Sequence, residues 1–154
     1  MIIDAHQLLR DLFAAQPLAV LATRSHSGAY ANIVAITVLE DLSAVLFATT
    51  RATRNYENLA AHPAVAFLID NRSNTVSDFR DAIAVTALGK ARPVAGRDRL
   101  LFQGPYRARH PHRVDFLLSP TTVLFRADIE RYSIVHHFQQ VIEVVVDGEN
   151  PPSP

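Results

Sequence analysis

Apolar and polar positions alternate in short runs along most of the chain, a pattern typical of half-buried β-strands. In the clearest run, Val123, Phe125 and Ala127 alternate with Arg126 and Asp128, so that one face is apolar and the other polar. Comparable runs lie at residues 18–23, 30–39, 44–49, 64–69, 82–93, 122–135 and 141–146. The pattern predicts six or seven strands, of which the first three form an antiparallel meander that begins with a hairpin.

Helical spacing occurs in three places only. Asp4 and Gln7 resemble a capping box ahead of an apolar stripe that ends at Pro17, and a second helix is expected over residues 53–62. Residues 96–104 have helical spacing as well, and we expect basic loop structure at 106–113 and a polar loop at 70–81. Few helices among many strands favour a mainly β fold, a closed or nearly closed antiparallel barrel, over a doubly wound parallel sheet.

The length of 154 residues suits one domain, which we expect over residues 1–147, and the composition of residues 148–154 predicts a disordered tail. Only 19% of the residues are charged, which leaves little material for a fully polar surface and favours a homo-oligomer. No apolar run approaches the ~20 residues of a membrane span, and the first residues lack a basic segment, so neither secretion nor a membrane location is expected.

The charge balance and the absence of cysteine exclude some functions. The 15 basic and 15 acidic residues cancel, so nothing attracts the whole protein to nucleic acid or to an anionic membrane. With no cysteine, disulfides and thiolate metal sites are impossible, and a cytoplasmic location is expected.

The segment from residue 47 to residue 59 concentrates groups that bind anions, at the point where a strand passes into a helix. Its threonines supply hydroxyl groups, its arginines supply guanidinium groups, and the first helical turn presents free N–H groups. The residues concerned are Thr49, Thr50, Arg51, Thr53 and Arg54. They predict a phosphate site; the alternative is that Thr53 only caps the helix while both arginines are solvated.

This segment resembles the flavin-binding split-barrel proteins of the pyridoxamine 5′-phosphate oxidase-like family, in which a threonine ends a strand and a Ser/Thr-Arg-Lys segment opens the next helix. Matching positions are Thr49, Thr53-Arg54, Asn58-Leu59 and Pro63, together with the strand at residues 31–36 and the segment Gly89-Lys90-Ala91. The resemblance is most specific over residues 15–95. It implies an FMN-binding split β-barrel.

By that resemblance, Thr49, Arg54 and Asn55 would contact the FMN phosphate, and the backbone near Val34, Ala35 and Ile36 would contact the ring. Thr50, Arg51 and Thr53 complete the expected cofactor site.

Asn55 stands where the family usually has lysine, a charge that Arg51 could replace. Ala84 stands where the vitamin-metabolising members have glutamine. Tryptophan is absent, and Arg107, Arg109 and His110 precede the last strands, so oxidation of the vitamin itself is not implied and no catalytic residue is assigned.

The segment from Lys90 to Arg113 is basic and contains His110 and His112. It could line the far side of the flavin pocket or bind an anion, but we favour a solvated face paired with Asp128 and Glu130. His136 and His137 are adjacent on a strand and point to opposite faces, so a metal site is not expected. A single histidine could instead serve as a haem ligand.

Two functions follow from these residues and the resemblance. The first is an FMN-dependent oxidoreductase that passes hydride or electrons between a nicotinamide or other reductant and an unidentified small molecule. The alternative is a protein that binds flavin, deazaflavin or haem without turnover. In either case we expect a homodimer with FMN at the subunit interface, and a nucleic-acid function is the least expected.

Overall fold

The computed structural model describes residues 3–137 and 140–146. These residues form the strands β1 (Leu18–Ser25), β2 (Gly28–Ala35), β3 (Thr37–Val38), β4 (Ala44–Thr50), β5 (Ala64–Asp70), β6 (Ala84–Val94), β7 (Thr122–His136) and β8 (Gln140–Val145). The helices are α1 (Ala5–Ala15), α2 (Arg54–Ala61), α3 (Asp78–Asp81), α4 (Gly96–Arg109) and α5 (Val114–Leu118), with a 3₁₀ turn at Pro111–Arg113. The predicted tail at 148–154 lies outside the described residues.

One curled antiparallel sheet contains all of these strands. Its order is β2-β1-β5-β6-β7-β4-β3, and β8 pairs with the far part of β7. β2 and β3 lie at opposite ends of this order yet follow each other in the chain, so the sheet must curl to bring its ends together. The predicted mainly β, split-barrel fold is confirmed, with seven longer strands and the two-residue β3.

The predicted three-stranded meander is wrong, because the long run at 30–39 is not one strand. It divides at Ile36, whose N–H donates to the carbonyl of Pro17 at 3.0 Å. β2 pairs with β1, as the predicted hairpin requires, whereas β3 pairs with β4 and β4 pairs with β7. Alternation along a run identifies a strand but carries no information about its partner.

Helices α1 and α2 match the prediction. The Gln7 N–H donates to the Asp4 carboxylate at 3.1 Å, and Leu9, Leu12 and Phe13 are buried against the sheet. The stripe of apolar residues therefore packs α1 against the main core.

The loop predicted at residues 106–113 is wrong in its first half, because α4 continues through Gly104 and Pro105 to Arg109. Tyr106 explains this difference, since it is 1% exposed and packs with Leu46, Leu117 and Leu124. Burial of one large aromatic side chain offsets the weak helix propensity of a Gly-Pro pair. The polar loop predicted at 70–81 likewise contains the short helix α3.

The main core fills the inside of the curl. The rings of Phe47 and Phe125 stack at 5.2 Å between centroids, and Phe67 meets Phe47 edge-on at 5.5 Å. Tyr132 closes one end, where its buried hydroxyl donates to the carbonyl of Leu42 at 2.7 Å. Three strands that are distant in sequence are thus held by one aromatic cluster.

We expect Gly89→Ala to destabilise the protein severely. Gly89 lies at the bulge where β6 shifts register against β7, and a Cβ there would overlap the carbonyl group of Asp128. The expected loss is about 3 kcal/mol of unfolding free energy, the upper end for overpacking. Urea unfolding measures it, with Gly104→Ala as the control because a Cβ at that position would have no atom within 4 Å of it. A loss at Gly89 no larger than at Gly104 would contradict this view of the bulge.

Candidate ligand-binding groove

A groove of about 720 Å³ lies between β2, the end of β4, the start of α2 and the segment that follows α4. Its size is typical of sites for small molecules and cofactors. The residues that line it are Pro17, Leu18, Tyr30, Asn32, Ile33, Val34, Ala35, Ala48, Thr49, Thr50, Thr53, Arg54, Asn55, His110, His112, Arg113 and Phe116.

At one end of the groove, three threonines hold the turn that starts α2. Thr53 is the N-cap residue, and its hydroxyl accepts from the Tyr56 N–H at 3.2 Å and donates to the Thr50 carbonyl at 2.9 Å. The Thr49 hydroxyl lies 2.7 Å from the Thr53 hydroxyl and is therefore its donor. The capping role that sequence reasoning offered as the alternative is thus correct for Thr53.

The capping network leaves other donors at this end free. Among the described residues, the N–H groups of Arg54 and Asn55 have no hydrogen-bond partner, as expected in the first turn of a helix. The Arg54 guanidinium lies 5.3 Å from the centroid of the Tyr30 ring, and no carboxylate of the described residues is within 4 Å of it. Free N–H groups, the helix dipole and a guanidinium group together favour an anion at this end.

Two buried amide oxygens along the groove have no partner. Asn55 is 4% exposed, and its Oδ1 accepts no hydrogen bond within the described part of the chain; the same is true of Asn32 Oδ1. A buried acceptor without a donor costs about 1–3 kcal/mol. Such groups are expected where a ligand supplies the missing donors.

The opposite wall comes from the segment that follows α4. His110 is 2% exposed, and its Nε2 lies 2.6 Å from the Ile36 carbonyl, which requires the tautomer with hydrogen on Nε2. Burial lowers the pKa of His110 against the raising effect of this bond, and the nearby charges of Arg109, His112 and Arg113 lower it further. The imidazole is therefore neutral near pH 7.

Arg113 holds this wall in place. Its guanidinium lies 4.4 Å from the centroid of the Phe116 ring, and its Nε donates to the Tyr106 hydroxyl at 3.1 Å. Two guanidinium groups and two imidazoles thus line the groove, and no lining residue is Asp or Glu. The groove is electropositive in a protein whose net charge is zero.

Seven of the nine residues predicted for the cofactor site line this groove: Val34, Ala35, Thr49, Thr50, Thr53, Arg54 and Asn55. Ile36 does not, because its side chain is in the main core and its carbonyl is bonded to His110. Arg51, which was also expected in the cofactor site, lies outside the groove. Its Nη1 donates to the Pro120 carbonyl at 2.9 Å in a separate recess, since the tight turn after β4 projects it away from Arg54.

Among the lining residues outside the predicted set, two groups carry polar or charged side chains. Tyr30 and Asn32 share a face of β2 with Val34, so the two-residue period carried a signal for them. His110, His112 and Arg113 belong to the basic segment for which lining the far side of the pocket was the less favoured alternative, and they do line the groove.

Two residues of that basic segment pair as we favoured. Arg92 contacts the Asp128 carboxylate at 3.1 Å, and Lys90 lies 4.0 Å from Glu130. The segment therefore includes a paired part on β6, a part that lines the groove, and Arg99 and Arg109, which donate to backbone carbonyls. No helix among the described residues is long and apolar enough to cross a membrane.

The curled sheet defines a split-barrel protein, and its electropositive groove is the candidate ligand site. Residues 5–136 match the family model described as pyridoxamine 5′-phosphate oxidase. The chain belongs to this pyridoxamine 5′-phosphate oxidase-like family. No curated protein sequence matches the chain.

Solved structures share the fold at low sequence identity. A heme binding protein from Mycobacterium smegmatis superposes with a TM-score of 0.82 at 16% identity, over 94% of this chain and 59% of that one. Campylobacter jejuni ChuZ superposes with a TM-score of 0.74 at 11% sequence identity, over 90% of this chain and 58% of that one. A FAD-binding protein from Mesorhizobium loti superposes with a TM-score of 0.66 at 17% sequence identity, over 86% of this chain and 92% of that one. This chain thus spans less than two thirds of the first two proteins, and these likenesses show the fold alone.

The lowered pKa of His110 predicts that the folded protein loses stability in mild acid. An unfolded histidine titrates near 6.5, whereas folded His110 resists protonation, so the unfolded state binds more protons as the pH falls below that value. The unfolding free energy should therefore decrease from pH 7 towards pH 5. His110→Gln, which can still donate to Ile36, should show a shallower decrease in urea titrations across this range. Equal slopes in the two proteins would remove His110 as a cause.

Proposed function

We propose that the groove binds FMN, with the phosphate at the start of α2. The observation that carries the proposal is the group of unpartnered donors there: the N–H groups of Arg54 and Asn55 beside the Arg54 guanidinium. A phosphate monoester matches such a site because it offers several acceptor oxygens and two negative charges. The absence of carboxylates from the lining supports the same choice.

The middle of the groove suits the remainder of the cofactor. The unpartnered oxygens of Asn32 and Asn55 fit a ligand that carries hydroxyl donors, as the ribityl chain of a flavin does. Val34 and Ala35 on β2 and Phe116 opposite offer apolar surface for the ring. The positive charge lost where the family usually has lysine comes from Arg113, because Arg51 points elsewhere.

A bound flavin would supply hydride or single-electron chemistry, and the role of the chain is to bind and orient it. Arg54 and the first turn of α2 hold the phosphate, and the backbone of β2 supports the ring. His110 keeps the wall closed by holding the Ile36 carbonyl. We infer an oxidoreductase that accepts electrons from a nicotinamide or another reductant and passes them to a small molecule.

The proposal includes a homodimer with the groove at its interface. Leu18 and Ile33 line the groove yet are 54% and 68% exposed, which is unusual for apolar side chains beside a ligand site. A second copy placed over β2 would cover them and exclude water from the ring. Light scattering should then give a mass of twice 17.0 kDa.

Haem binding is the second candidate, and His112 is the observation that favours it. Its exposed imidazole lines the groove, whereas Nε2 of His110 is occupied by the Ile36 carbonyl, so His112 is the ring available as an iron ligand. The similar fold of the heme binding protein from Mycobacterium smegmatis supports testing this candidate.

Arg54→Gln should weaken FMN binding by about 1.5–3 kcal/mol, the scale of a charge-assisted hydrogen bond. Riboflavin lacks the phosphate, so its affinity should change little. Fluorescence titration of flavin-free protein measures both affinities. Arg51→Gln is the matched control, because this arginine is three residues away and outside the groove, and it should leave both affinities unchanged. Equal losses for FMN and riboflavin in Arg54→Gln would place the phosphate elsewhere.

The visible spectrum of the purified protein separates the two candidates. Flavin absorption bands in the near-ultraviolet and the blue that bleach on anaerobic addition of NADH or NADPH are the expected result. Flavin bands that never bleach with any reductant would support binding without turnover. A Soret band that His112→Ala abolishes would favour haem instead.

A further inference from the structure

A second cavity of about 590 Å³ lies behind the groove, between α1, β3 and the turn that joins β3 to β4. The second cavity and the groove share a wall at two places. Ala35 and His110 line the groove, and their chain neighbours Ile36 and Arg109 line the second cavity. The hydrogen bond from His110 to the Ile36 carbonyl closes the wall between these two places. The second cavity is therefore a site separate from the groove.

The walls of the second cavity are apolar and already fixed. Phe13, Ile36 and Leu42 are between 2% and 8% exposed, and all three line it. The turn is held because the Leu42 N–H donates to the Leu39 carbonyl at 2.9 Å and Tyr132 donates to the Leu42 carbonyl at 2.7 Å. A ligand would therefore find a preformed apolar surface, which lowers the ordering cost of binding.

At the rim of the second cavity, positively charged side chains outnumber negatively charged ones. Arg10 and Arg109 line the second cavity together with a single carboxylate, Glu40, and none of the three forms an ion pair within 4 Å among the described residues. Arg109 is held in place by Nη2, which donates to the carbonyls of Phe13 at 2.9 Å and Ala14 at 2.8 Å. Its other nitrogens have no hydrogen-bond partner in the described part of the chain. The fixed guanidinium group of Arg109, with that of Arg10 at the same rim, matches a carboxylate attached to an apolar body.

We propose that the second cavity is a binding site for a small organic acid, a monocarboxylate with an aromatic or branched aliphatic body. The apolar body packs against Phe13, Ile36 and Leu42, and the carboxylate faces Arg10 and Arg109. This site does not require the proposed flavin, because the wall at Ile36 separates it from the groove.

Benzoate is the probe, added to ¹⁵N-labelled, flavin-free protein and followed by NMR. The expected dissociation constant is about 1 mM, as for a fragment of this size. Amide signals of α1, of residues 36–42 and of Arg109 should shift, while those of Arg54 and Asn55 should not. Benzyl alcohol, which keeps the ring but has no charge, should bind about tenfold more weakly.

Two variants at exposed positions test the two parts of the site. Arg10→Gln removes a guanidinium that has no hydrogen-bond partner among the described residues, and it should weaken benzoate about fivefold to tenfold. Ala14→Phe places a ring in the second cavity and should abolish binding. Ala15→Phe is its matched control, since this neighbouring exposed alanine lies outside the second cavity and should leave benzoate affinity unchanged. The amide spectrum of each variant reports whether it is folded.

Arg54→Gln makes failure of this proposal distinguishable from failure of the flavin proposal. It should leave benzoate affinity unchanged, and Arg10→Gln should leave FMN affinity unchanged. The proposal is overturned if benzoate does not bind, if Arg54 and Asn55 carry the shifts, if benzyl alcohol binds equally well, or if folded Ala14→Phe still binds benzoate.

Discussion

The division of one apolar run at Ile36 is the constraint on which the rest of this structure depends. The N–H of Ile36 is bonded to Pro17 and its carbonyl to His110, so both its backbone groups are used outside the ordinary strand ladder. β2 therefore stays at one end of the sheet and β3 goes to the other. The sheet curls as a consequence, and the groove and the second cavity form on the two sides of this point.

This protein has no net charge, yet its groove is electropositive because ion pairs between carboxylates and arginines lie outside the groove. Asp128 is shared between Arg92 and Arg126 on the neighbouring strand surface. Burial opposes its charge, but the two guanidinium groups outweigh that effect and lower the pKa of Asp128. Asp128 is thus engaged with arginines outside the groove, and Arg54 and Arg113 line a groove with no carboxylate. Net charge alone says nothing about such a local field.

The candidate site divides into a part that is local in sequence and a part that is not. The turn from Thr49 to Asn55 is one continuous segment, so its residue types together with the family resemblance were enough to single it out, and Thr53 caps α2 as one of the two interpretations expected. Arg51 lies within the same segment but outside the groove, because the direction of a side chain in a tight turn depends on backbone angles that residue types do not reveal. The opposite wall, from His110 to Phe116, lies some sixty residues away along the chain.

Sequence alone determined most of the strands, the capped helices α1 and α2, and the mainly β class, because each depends on periodicity or on groups within a few residues of one another. Only the tertiary structure decided which strands pair beyond the first hairpin, why α4 continues through Gly104 and Pro105, and which histidines line the groove. Those outcomes depend on burial of side chains such as Tyr106 and on contacts between distant segments. The free energy of such burial and contacts is comparable to the free-energy differences of local helix and strand propensity, and no pattern within a few residues reveals them.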